Sequence, residues 1–484
     1  MTFRLDPKIS SIPLSDVLMR ISERVAAKDA TTWGESSEAA IRLGWVDLAE
    51  TSRSLLPQLD SIAASARERM VEKVVLSGMG GSSLAPEVIA KTYKRESTRQ
   101  LIVLDSTEPH FVQTRLEGDL SRTLFLISSK SGSTIETNSH LALILERLAS
   151  QELDHRHHII VITDPGSPLA LTAEENGWRV VLGDPHVGGR FSALSAFGLV
   201  PAALIGIDPA LLLDDAAEMI ARIHEPAVKI ATHLAEHRYL YFLDSKGSLP
   251  GLADWIEQLI AESTGKQGKG LLPIAVQSTS SSMSAPTVDL STIIDAPLGA
   301  HFILWEWVTA LLGHIYQVDP FDQPDVQATK TRTLEVLSER SAVVADTTLT
   351  PLEDLRVTID AYLKGREYLA VCAFLDPIRD AEVASLRDRL EKVFHVPVAF
   401  GWGPRFLHST GQFHKGGPKS GLFLSLTIDS DETVSVPGKD YDFTRLIRAQ
   451  AEGDRRALVE SGNPVISVHL RGADDVERLL TLFA

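Results

Sequence analysis

One cysteine, Cys372, stands among 484 residues, which excludes internal disulfides and cysteine-rich metal sites and fits a reducing compartment. Positive charge is also in deficit. The 64 Asp and Glu against 47 Lys and Arg leave a formal net charge of −17, which argues against nucleic acid or an anionic membrane as the main partner. Anionic ligands must therefore be met by local clusters. No apolar run reaches 18 residues, and the opening MTFRLDPKISSIPLS has no apolar segment of the secretory kind, so a cytoplasmic protein is expected. There is no internal repeat, no low-complexity tract and no GxxxxGK[ST] loop, so ATP is not the expected ligand.

What is present is long enough for two or three cores. Residues 1–70 carry helical periodicity without strand runs and read as a helical arm. From Val74 short apolar strands alternate with helices, at Leu101 to Leu104, Leu124 to Ile127, Ile159 to Ile162 and Val180 to Leu182. This is the pattern of a doubly wound parallel sheet, assigned here to 71–234. A second, smaller α/β unit spans 235–340. Over 345–484 the order βαββαβ predicts an α+β module of split-βαβ type. Between its second and third strands runs GWGPRFLHSTGQFHKGGPKSG, a basic loop with Arg405, Lys415 and Lys419. His408 and His414 there lack a third metal ligand, and the loop is expected to pack on the preceding domains or cover their cleft.

The stretch Leu124 to Thr137, LFLISSKSGSTIET, organises the chain. It reads as a buried strand, a turn with five hydroxyls in seven positions (Ser128 to Thr134), then a helix. A helix start offers unpaired N–H groups and partial positive charge, hydroxyls add donors, Gly132 lets the backbone approach, and Lys130 adds a full charge. That suits a phosphate dianion, although one N-capped helix would also use such residues. A second glycine turn, Gly80-Gly81-Ser82-Ser83, follows the strand at Val74 and would face the same crevice beyond the strand ends. Arg190, after Gly188-Gly189 and before an apolar helix, is placed against the helix dipole unless an anion lies there.

GMGGSS at 78–83, SSKSGST at 128–134, GGRFS at 188–192, ESTGK at 262–266, GAHF at 299–302 and FDQPDVQATK at 321–330 occur in one order. Together they resemble the phosphoglucose isomerases, whose two sugar isomerase (SIS) domains share one active site. With GPRFLHSTGQFHKGGPKSG included, the chain is most similar to the isomerase half of bacterial transaldolase/phosphoglucose isomerase fusion proteins. There is no room for a transaldolase barrel ahead of Val74, so that activity is not expected. The resemblance implies two SIS-type three-layer αβα domains with parallel sheets, followed by the C-terminal module, in a homodimer without cofactor or metal. It implies reversible conversion of glucose 6-phosphate and fructose 6-phosphate. A sugar-phosphate-binding regulator without turnover, or an isomerase also accepting mannose 6-phosphate, stays open.

The same resemblance places the phosphate cradle on Ser129, Lys130, Ser131 and Thr134, backbone contacts to the sugar at Gly81 and Ser82, and further contacts at Glu136 and Gln323. It places the proton-transfer base on Glu262, the cation for the enediolate on Arg190, and ring opening on His301 with Lys330. Ser83 departs from the acidic residue many members carry. Aldose–ketose conversion needs a carboxylate able to take a proton from one carbon and return it to the next, a fixed cation where oxyanion charge develops, and a proton donor for the ring oxygen. By spacing alone, Glu262 and Lys266 would be an i,i+4 surface pair and His301 a core histidine.

Overall fold

Strands that read as unbroken apolar runs are buried on both faces, as in a parallel sheet covered by helices on each side. The computed structural model describes residues 3–35, 37–278, 283–339, 349–430 and 432–484. A two-residue strand β1 (Arg4–Leu5) and a series of short helices, ending with Leu56–Glu68, precede the first sheet. That sheet comprises β2 (Lys73–Gly78), β3 (Gln100–Leu104), β4 (Thr123–Ser128), β5 (Ile159–Thr163) and β6 (Arg179–Leu182). All pairs are parallel, in the order β3-β2-β4-β5-β6, with a helix in each connection. The chain leaves β2 for the edge at β3 and returns on the other side at β4, so the topological switch point lies between β2 and β4. Both Gly/Ser turns lie at the C-terminal ends of those two strands.

β7 (Tyr239–Leu243), β8 (Leu272–Val276) and β9 (Thr287–Asp289) form a second parallel sheet in the order β8-β7-β9. The strand expected near Ile293 is β9; Ile293 itself ends a short helix, and the next two residues, β10 (Ile294–Asp295), pair antiparallel with β1. The helix Leu298–Tyr316 is long and apolar enough to cross a membrane, but 89% of its apolar window is buried inside the fold. It is the core helix. Trp305 and Trp307 on it are buried, Trp45 from the N-terminal helices packs edge-on to Trp307 at 5.6 Å, and Trp33 donates to the Ala310 carbonyl at 2.9 Å.

The C-terminal region corrects the expected α+β module. β11 (Tyr368–Phe374), β12 (Val398–Trp402), β13 (Gly421–Ile428) and β14 (Val465–Leu470) lie in the order β12-β11-β13-β14, and every pair is parallel. The basic loop hides the crossover that this order requires. It folds into a 3₁₀ turn, Arg405–His408, and a helix of six residues, Gly411–Gly416, too short and glycine-rich to show an apolar period. The break placed between 340 and 345 lies outside the described residues.

This third unit has its own core, from Leu352 to Phe483, and two further apolar clusters join it to the rest. In one, Phe443 and Leu446 of its helix Phe443–Glu460 pack with Leu141 and Ile144 of the helix after β4. In the other, Tyr368, Phe413 and Phe423 meet Tyr241 and Ile274 of the second sheet. The helix Pro324–Ser338 crosses Phe443–Glu460 at Gly453, where a Cβ would come within 2.9 Å of the Thr333 amide. This close crossing fixes the helix that carries Lys330.

Candidate active site

Three chain reversals and two helices converge at the switch point. Gly81 explains how the first two reversals meet: a Cβ there would sit 2.0 Å from the Gly189 carbonyl oxygen, so the turns after β2 and at Gly189–Phe191 touch backbone to backbone. Gly132, at φ 66° in the turn after β4, lies against the Leu169 amide, where a Cβ would be 2.8 Å away. Only glycine supplies both the left-handed backbone and the space.

In the serine turn, Thr134 is the N-cap of the 16-residue helix Ile135–Ser150, yet its side chain caps nothing. Its Oγ1 pairs with Ser129 Oγ at 3.0 Å. The first-turn amides thus keep their affinity for an anion. Lys130 Nζ donates to Asp164 Oδ2 at 2.5 Å and to the Asp184 carbonyl at 3.0 Å, and burial lowers its pKa.

Glu262 occupies the last turn of the helix Leu252–Thr264, with its side chain 7% exposed. Its Oε1 accepts from Arg190 NH1 at 3.0 Å and its Oε2 from Gln258 Nε2 at 3.1 Å, one helical turn back. The helix stops at Gly265, so Lys266 turns away and pairs with Asp322 Oδ1 at 2.5 Å. No Glu262–Lys266 surface pair forms. Burial and the nearby Arg190 push Lys266 down to about 8.

Arg190 is buried and bonded at every nitrogen, most loosely from NH1 to Gln323 on the cavity side. Nε donates to Ser263 Oγ (2.7 Å), NH2 to the carbonyls of Pro320 (2.5 Å) and Asp322 (2.9 Å), and NH1 reaches Gln323 Oε1 at 3.5 Å as well as Glu262. A planar fork held at every nitrogen cannot reorient, which is what preorganisation requires.

A cavity of about 340 Å³ joins these groups. Ten predicted residues line it: Gly81, Ser82, Ser129, Lys130, Ser131 and Thr134 from the two Gly/Ser turns, and Arg190, Glu262, Gln323 and Lys330 from later segments. Its volume lies in the usual range for small-molecule sites. Glu136 sits beside it, buried, with Oε1 accepting from His408 Nε2 at 2.9 Å and Gln450 Nε2 at 2.8 Å. Burial alone would raise the Glu136 carboxyl, but the charges of His408 and Lys330 hold it below its ordinary value. Ser83, the departure in the first turn, is buried and bonds back to the Gly80 carbonyl.

His301 is not brought to the cavity. It is 1% exposed inside the core helix, accepts from Trp305 Nε1 at 3.3 Å, and burial pushes it down to about 4. So enclosed, it offers no surface to a partner subunit's cavity either. Being held neutral makes it a pH-dependent element of stability. Its folded pKa lies below the unfolded value, so between about 6.5 and 4 the unfolded chain binds the extra proton and stability falls with acid. Relative to His301→Gln, wild type is expected to lose roughly 3 kcal/mol between pH 7 and pH 4, read by urea unfolding at both values.

The imidazole that does line the cavity is His408, from the C-terminal loop. That loop packs on the preceding domains and covers their cleft. Arg405 pairs with Glu87 and, at 2.8 Å, with Asp105, and the His408 carbonyl accepts from Gln258 Nε2 at 2.8 Å. Gln412 brackets the start of the Lys330 helix, donating to Asp325 Oδ2 (2.5 Å) and accepting from the Asp325 amide (3.0 Å). Gln258, Ser263 and Gln450 were also missed, since a lone amide or hydroxyl carries no sequence signature. For His408 the signal was the dense glycine and basic composition of its loop.

Comparison with known proteins finds similarity over the first half or so of the chain. Residues 53–267 match the model of the family described as phosphoglucose isomerase. Glucose-6-phosphate isomerase of Campylobacter jejuni is 33% identical over 248 residues, 48% of this chain and 61% of that protein. The one from Thermus thermophilus is 37% identical over 240 residues, 47% of this chain and 57% of that protein. The matches thus span about three fifths of these relatives' length. The crystal structure of a glucose-6-phosphate isomerase from Chlamydia trachomatis superposes with a TM-score of 0.52 at 17% identity, covering 71% of this chain and 87% of that one, which shows a shared fold.

Proposed function

We propose, from the match of residues 53–267 to the phosphoglucose isomerase family, that the protein interconverts glucose 6-phosphate and fructose 6-phosphate. The observation that carries the reading is Glu262, a buried carboxylate against Arg190, in the same cavity as the serine turn. The turn from Ser129 to Thr134, with Lys130, holds the phosphate; Gly81, Ser82 and Gln323 line the path of the sugar. With the phosphate anchored, Glu262 takes the proton from C2 of the aldose and returns it to C1. Arg190 meets the negative charge gathering on the enediolate oxygens, and a cation already in place costs no reorganisation at that moment. A cytoplasmic homodimer is part of the same proposal.

Ring opening is assigned to His408 in place of His301, with Lys330 beside it. Glu136 fixes the imidazole through Nε2, which leaves Nδ1 to exchange a proton with the sugar ring. His408→Gln is expected to slow turnover on cyclic substrate by on the order of 10²-fold. His301→Gln should stay within a few-fold of wild type at pH 7.5.

The direct test supplies glucose 6-phosphate to the purified full chain and measures fructose 6-phosphate. Turnover supports the reading. Binding of either sugar phosphate without turnover would replace it with that of a sensor.

A further inference from the structure

Away from the cavity, two strand ends meet across the boundary between the first sheet and the C-terminal one. Following β3, Glu108 is 2% exposed and caps the next helix, with Oε2 accepting the Phe111 amide at 2.7 Å. Its Oε1 is buried without a hydrogen-bond partner. Following β11, Asp376 is fully buried, and its Oδ1 accepts the amides of Ile378 (2.8 Å) and Arg379 (3.2 Å). Asp376 Oδ2 lies 2.5 Å from His110 Nδ1. One ligand-capable atom from each of Glu108, His110 and Asp376 falls within 4.8 Å of the other two. Arg379 approaches Glu108 Oε1 only to 3.7 Å, shares itself with Asp380 and is partly exposed, and the Glu432 charge also acts on His110.

We propose that Glu108, His110 and Asp376 bind a divalent cation of the zinc or manganese class, with water completing its shell. Two carboxylates and one imidazole suit such borderline cations better than soft ones. Bonds of about 2.0–2.2 Å in tetrahedral geometry set ligand atoms about 3.4 Å apart, so side-chain adjustments alone bring the three atoms into place. The proton shared by His110 and Asp376 leaves, and the cation takes its position. The orphaned Glu108 oxygen is the second, independent sign. A buried carboxylate oxygen without a partner is costly, and a cation supplies the partner. None of the three residues lines the isomerase cavity, so the ion clasps the ends of β3 and β11 and takes no part in proton transfer.

Metal-stripped full chain titrated calorimetrically with Zn²⁺, and separately with Mn²⁺, tests this. One cation per chain is expected at the site for at least one of the two metals. Its affinity should fall about tenfold or more in both His110→Gln and Glu108→Gln, and the rise in Tm it produces should shrink in parallel. His110 is the more exposed ligand, so its variant keeps the fold, checked by circular dichroism. Absence of uptake of both metals at millimolar concentration overturns the proposal. Equal affinity in wild type and either variant, as surface pairs such as His233 with His237 would give, also overturns it.

Discussion

Glu262→Gln is expected to reduce kcat for fructose 6-phosphate formation by on the order of 10³-fold, with KM changed only a few-fold, because general base catalysis supplies 10²–10⁴. The amide is nearly isosteric. Its oxygen can still accept from Arg190 NH1, its NH2 gives up the acceptor that Gln258 Nε2 uses, and the loss of rate lies in the proton-transfer step. Substrate recovered from deuterated water distinguishes this from misfolding. Wild type should wash label into C2 of the sugar, and the variant should bind substrate without exchange. A variant retaining a tenth or more of wild-type kcat would remove Glu262 from the mechanism.

Arg190→Lys is expected to cost about 10²- to 10³-fold in kcat, the range for losing one preorganised donor at a developing oxyanion. Lysine keeps the charge but presents a point rather than a fork. It cannot serve Ser263, Glu262 and the carbonyls of Pro320 and Asp322 together, and the groups left over are buried. Stability should therefore fall as well, by about 1–3 kcal/mol for each orphaned group that water cannot reach. Kinetics at saturating substrate and urea unfolding read the two effects separately. Loss of stability with unchanged kcat would make Arg190 a brace for the FDQP segment alone.

The sequence foretold those parts of the site that are local in the chain. The strand, serine turn and helix from Thr123 to Ser150 need only an apolar run, a glycine able to adopt positive φ and a helix start, and all three are legible in adjacent residues. The fold of 73–182 was legible for the same reason. Glu262 and Lys266 show where this stops. Their spacing fits a helix pair, but Gly265 ends the helix between them and sends each to a different partner. His301 and His408 show it more strongly. A histidine near motif residues in sequence proved to be core, while the one at the cavity arrives on a short 3₁₀ turn from a different unit. The parallel pairing of the C-terminal sheet escaped for a related reason. A six-residue helix among glycines leaves no periodic trace, and the crossover read as a loop.

The side-chain amide of Gln258 donates both to the Glu262 carboxylate and to the backbone of His408, 150 residues further along. Protein synthesis proceeds from the N-terminus, so a nascent chain exposes the carboxylate long before the segment that tethers its neighbour has left the ribosome. The lining of the cavity is therefore complete only once residue 408 has been made, and a fragment ending before it lacks that wall.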